Sequence, residues 1–93
     1  MVTAFVLIKG ERDKLPETAE SLTEVKGVSE VYSVAGDYDL VAIVRVKQHE
    51  ELADVVTGHL LKMPGIAATN TLIAFKSYSK RDLERMWEIG LEN

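Results

Sequence analysis

The feature that most limits what this chain can fold into is a pattern written twice. Val25-Lys26-Gly27-Val28 recurs 38 positions on as Met63-Pro64-Gly65-Ile66, and Leu15 and Leu22 align with Ala53 and Leu60. Each half runs from a β-rich stretch through a helical period to a glycine stop and a second β-rich stretch. Residues 2–9, 28–35, 40–47 and 66–76 read as strands, being dense in Val, Ile and other β-formers. Leu15, Ala19 and Leu22 recur at helical spacing behind Pro16, which suits a first helical turn. Leu52, Val55, Val56, His59, Leu60 and Met63 define a second helix, which Pro64-Gly65 ends. The order is β-α-β-β-α-β, a split β-α-β doublet of the ferredoxin-like α+β class. Right-handed crossovers place both helices on one face of a four-stranded antiparallel sheet.

The strands bear on assembly. A sheet with one dry and one wet face alternates apolar with polar residues. Here Val2, Ala4, Val6 and Ile8 point one way and Phe5 and Leu7 the other, while Leu40, Ala42, Val44 and Val46 oppose Val41 and Ile43. The helix-free face is therefore also apolar. A domain of 93 residues buries only about 60–65% of the surface its unfolded chain exposes. With 46% hydrophobic residues it has apolar surface to spare. Two sheets packed face to face as a homodimer, a dimeric α/β barrel, are the expected solution.

Several function classes drop out. There is no cysteine, so no disulfide framework, thiolate metal site or thiol nucleophile. The net charge of −4 and the scattered basic residues argue against direct nucleic-acid binding. No apolar run approaches the roughly 20 residues of a membrane span. The N-terminus reads as a strand, and absent signals fit a cytoplasmic protein. His49 and His59 stand ten apart with no partner at metal-ligand spacing, and no glycine-rich phosphate loop occurs. No cofactor is expected.

What remains is polar residues in awkward places. In Gly36-Asp37-Tyr38-Asp39, a hairpin turn accounts for a positive φ at Gly36 and an Asx cap at Asp37. It accounts poorly for Asp39, a carboxylate opening a hydrophobic strand, which needs a partner. An effector ammonium group is one such partner, and exposed turn amides suit an effector carboxylate. Thr69 and Thr71 share a face of the last strand, where ordinary β-propensity and a ligand-facing pair of hydroxyls are both open readings. Asn70 is on the opposite face. Residues 79–93 place Leu83, Met86, Trp87 and Leu91 on one helical face, a C-terminal amphipathic helix that docks on its own fold (residues 1–78) or on a neighbour.

These residues resemble the effector-binding domain of the Lrp/AsnC (feast/famine) transcriptional regulators. The likeness is carried by Gly27-Val28, by Val31-Tyr32-Ser33-Val34-Ala35-Gly36-Asp37-Tyr38-Asp39-Leu40, and by Met63-Pro64-Gly65-Ile66 with Thr69 and Thr71. The resemblance implies a non-enzymatic domain that binds an amino acid between dimers and acts in regulation through oligomerisation, often as an octameric ring. It implies that Gly36, Asp37, Tyr38 and Asp39 contact the effector, that Thr69 and Thr71 add to the pocket from a neighbouring subunit, and that Tyr32 and Val34 form walls. It also implies a stand-alone form lacking the helix-turn-helix domain, which would not bind DNA by itself and whose partners include full-length regulators. Two rivals stand beside it. One is a small dimeric α+β barrel enzyme, a cofactor-free monooxygenase or isomerase, with His59 as acid–base group in a cleft lined by Leu22, Val56 and Ile43. The other is an ACT-type sensing domain.

Overall fold

The computed structural model describes residues 1–80. Strand β1 (Val2–Gly10) leads through a short 3-10 turn (Arg12–Lys14) into helix α1 (Leu15–Thr23). Strands β2 (Val28–Ser33) and β3 (Leu40–Val46) follow as a hairpin, then helix α2 (His49–Gly58), a second 3-10 turn (Leu60–Lys62) and strand β4 (Ile66–Ile73). The sheet order is β2-β3-β1-β4, with every neighbouring pair antiparallel. This is the expected ferredoxin-like topology. Of the expected C-terminal helix (residues 79–93), positions 81–93, with Leu83, Met86, Trp87 and Leu91, lie outside the described residues.

Pro16 sits in the first turn of α1, where its missing amide hydrogen costs nothing. Thr18 and Leu22 are its buried residues. In α2, Glu50 and Glu51 occupy the first turn, where the helix dipole favours negative charge. Glu51 also accepts the Lys47 amide hydrogen at 2.9 Å. Leu52 and Val55 are buried beneath α2, and Val56 packs at the margin. The helix stops earlier than its periodicity implies. At His59 the backbone leaves the helical region (φ −125°, ψ −59°), so Leu60 reaches the core from a 3-10 turn.

The core lies between helices and sheet. Ala4, Val6 and Ile8 of β1 and Leu40, Ala42, Val44 and Val46 of β3 meet Leu22, Leu52, Val55 and Leu60. The other sheet face carries Phe5, Leu7, Val41 and Ile43, as the strand alternation implies. Phe5 and Leu72 pair across β1 and β4 on that face and remain 39% and 50% exposed, so the apolar surface is real. Strands β2 and β4 are shorter than the sequence suggests, β2 ending at Ser33 before the turn and β4 at Ile73. Beyond Ile73 the last ladder contact is the Ala74 amide donating to the Thr3 carbonyl at 2.9 Å. Among the described residues no helix is long and apolar enough to cross a membrane.

Candidate functional site

The hairpin between β2 and β3 is a four-residue loop, closed by the Val34 amide donating to the Asp39 carbonyl at 3.0 Å. Gly36 holds φ +124°, a conformation that residues with a Cβ rarely adopt. A Cβ built there would find nothing within 4 Å, so Gly36 faces open space. Among the described residues no hydrogen bond reaches the amides of Gly36, Asp37 or Tyr38. Asp37 is exposed, and its carboxylate makes no hydrogen bond or ion pair there. The expected Asx cap at Asp37 is therefore not formed. The backbone amides it would have satisfied stay available.

Asp39 is half-buried, and the structure supplies its partner from within the chain. Its Oδ2 accepts the Gly10 amide hydrogen at 3.0 Å, and its own amide donates to the Ile8 carbonyl at 2.9 Å. Sequence reasoning looks to a ligand for that carboxylate. It misses Gly10 because the point where the β1–β3 ladder stops, at Ile8↔Leu40, leaves no mark in the residue pattern.

Tyr38 folds back over the helix-free face. Lys9 lies 5.6 Å from its ring centroid, and the Asn70 Nδ2 approaches its hydroxyl at 3.4 Å. Asn70 thus joins the site from β4. Its only sequence signal is alternation, which puts it opposite Thr69 and Thr71. Those two threonines pair with Ile8 and Val6, both core residues, so they face the helices and are half-buried. Within one subunit, Thr69 and Thr71 are separated from Tyr38 by the thickness of the sheet. Tyr32 is paired with Val41 and lies on the helix-free face, half exposed, and Val34 is exposed beside the loop.

Tyr32 belongs to a second polar group. Its hydroxyl donates to Glu30 Oε2, and Arg45 Nη1 lies 3.4 Å from Glu30 Oε1. The Tyr32 hydroxyl, with Arg45 assisting, holds the Glu30 carboxyl below the usual range, and Glu30 in turn pushes the Tyr32 phenol up.

The features an enzymatic cleft would need are dispersed. His59 is exposed, its Nδ1 3.1 Å from the Asp54 carbonyl. Ile43 does not line the sheet–helix cleft with Leu22 and Val56: it pairs with Phe5 on the opposite face. A cavity of about 520 Å³ opens at the other end of β3, between Lys26, Lys47, Glu51, Asp54 and His59, away from the hairpin. Among the described residues no cluster of His, Asp or Glu could hold a metal ion.

Comparison with known proteins agrees with this geometry. Residues 3–83 match the Lrp/AsnC ligand binding domain. The chain is 38% identical over 80 residues to the HTH-type transcriptional regulator FL11 of Pyrococcus abyssi, covering 83% of this chain and 50% of that protein. It spans about half the length of the curated relatives it matches. Among solved structures, TTHA0845 from Thermus thermophilus is 49% identical with a TM-score of 0.81, over 86% of this chain and 100% of that one. The feast or famine regulatory protein Rv3291c from M. tuberculosis, complexed with L-methionine, is 29% identical with a TM-score of 0.69, over 87% of this chain and 55% of that one. The motif at the hairpin, the split β-α-β sheet and the matched span all agree, and the chain belongs to the Lrp/AsnC ligand-binding-domain family.

Proposed function

We propose that this domain is an amino-acid sensor acting in transcriptional or metabolic regulation, with its site at the 36–39 hairpin where subunits meet. The observation that carries this reading is the loop itself. Three amides without partners among the described residues lie next to an unpaired Asp37 carboxylate, beside the open space at Gly36. Such a pairing complements a zwitterion: amides receive a carboxylate and an aspartate receives an ammonium group. Tyr38 closes one side, Asp39 forms the inner wall, and Tyr32 and Val34 flank the approach. Thr69 and Thr71 reach an effector from a neighbouring subunit, since β4 is an edge strand. The methionine complex of the mycobacterial relative supports the ligand class.

The role is binding and not catalysis, and no cofactor is required. Homodimers form through the Phe5, Leu7, Ile43 and Leu72 face and assemble into a higher ring. In the cytoplasm the domain works on its own or with full-length Lrp/AsnC regulators. The test is a thermal-shift panel of the twenty L-amino acids, with native mass spectrometry on the same samples. One or a few amino acids are expected to raise the melting temperature and alter the oligomer distribution. A flat panel, confirmed by calorimetry, defeats the sensor reading.

A further inference from the structure

The two aspartates of the hairpin are placed differently. Asp37 is exposed and unpaired among the described residues, whereas Asp39 is half-buried and bonded to two strands. Its carboxylate grips the Gly10 amide, its amide meets the Ile8 carbonyl, and its carbonyl takes the Val34 amide. Gly10 is itself closely packed. A Cβ there would sit 2.8 Å from the Gly65 carbonyl oxygen and 3.0 Å from Leu15 Cδ2. The next amide, Glu11, donates to that same Gly65 carbonyl at 2.9 Å. Asp39 therefore ties the loop to a closely packed, hydrogen-bonded corner.

On the premise that the hairpin binds an amino acid, the geometry points to a division of labour between these carboxylates. Asp37 meets the effector's ammonium group. Asp39 is a positioning residue, which holds the 35–38 loop in its binding shape through the Gly10 amide. Gripping an amide needs an acceptor oxygen and no charge, whereas meeting an ammonium group draws on the charge.

That difference makes the two roles separable. The full chain and its Asp39→Asn, Asp39→Ala and Asp37→Asn variants are titrated by calorimetry with the twenty L-amino acids, and the Gly10 amide is followed by ¹⁵N NMR. Asp39→Asn should bind within about twofold of wild type with the Gly10 resonance in place, because its side-chain oxygen still accepts. Asp39→Ala should shift that resonance and weaken binding about tenfold, and Asp37→Asn should weaken binding as much with Gly10 unmoved. If Asp39→Ala fails to fold, the two asparagine variants decide the matter. Equal loss in Asp39→Asn with Gly10 in place overturns the proposal, since Asp39 would then act by charge. So does full binding by a folded Asp39→Ala. Absence of binding by wild type overturns the site reading and takes this proposal with it, so the two failures are distinguishable.

Discussion

The Asp39 carboxylate accepts the Gly10 amide hydrogen at 3.0 Å across a sequence separation of 29, joining the β2–β3 hairpin to the end of β1. That single bond answers why a carboxylate opens a hydrophobic strand. The amide it satisfies lies two residues beyond Ile8↔Leu40, the last pair of the β1–β3 ladder, where no strand partner remains.

Removing the acceptor should therefore cost stability independently of any ligand. Leaving a part-buried amide unsatisfied costs about 1–3 kcal/mol. Asp39→Ala should lower the urea unfolding free energy by that amount, and Asp39→Asn by less than about 1 kcal/mol. Equal losses in the two variants would show that charge, and not hydrogen bonding, is what the site requires.

The glycines at Gly36 and Gly65 make a contrasting pair. Both have positive φ, so alanine at either position meets backbone strain of about 1–2 kcal/mol. At Gly36 nothing else follows, since the space is open. At Gly65 the new Cβ would lie 2.5 Å from Thr18 Oγ1, a contact no real Cβ makes. Gly65→Ala should be the more damaging change, losing about 2–4 kcal/mol in chemical denaturation. Adding Thr18→Ala to it should recover part of the loss, and a strictly additive double variant would show that the clash is not the cause.

The apolar sheet face predicts an assembly phenotype. Phe5 and Leu72 are partly exposed in the single chain, so charging them should barely affect its folding. Buried between two sheets, the same charges would be expensive. Phe5→Lys and Leu72→Lys should convert a dimeric or larger species to monomer in sedimentation velocity while the circular dichroism spectrum is kept. Unchanged sedimentation of both variants would place the subunit contact elsewhere.

Much of this is legible from the residues, and the exceptions share a cause. The doubled β-α-β order, the two apolar faces and the positive φ at Gly36 follow from periodicity and turn chemistry, which are local. The helix end at Gly58, the Gly10 partner of Asp39 and the meeting of Tyr38 with Asn70 are not local. They depend on which strand lies beside β1 and in what register. Asn70 shows this well. Alternation sets it on the face opposite Thr69 and Thr71, but only the pairing Leu7↔Asn70 brings it under the Tyr38 hydroxyl. Thr69 and Thr71 are legible as a pair, and their facing the core becomes evident only through Ile8 and Val6.

The Glu30–Tyr32–Arg45 group gives the domain a titrating feature on the helix-free face. The Tyr32 hydroxyl, then Arg45, depresses the Glu30 pKa in the folded state. A depressed carboxyl contributes stability above its unfolded pKa of about 4.3, and that contribution is lost as pH falls through the lower folded value. The Tyr32 phenol is raised by its bond to Glu30, so its contribution is complete below about pH 10 and lost as pH climbs through the folded value. All of these side chains are exposed, so the effect is small in the single chain and screened by salt. Tyr32→Phe removes the leading cause. In that variant the Glu30 side-chain ¹³C titration should move up toward an ordinary glutamate, and the acid limb of the stability profile should flatten. Arg45→Met should also move the same midpoint upward, because Arg45 lowers the Glu30 pKa both by hydrogen bonding and by its charge. A Glu30 midpoint that stays put in Tyr32→Phe and moves in Arg45→Met would reverse that ranking and make the ion pair the dominant contact.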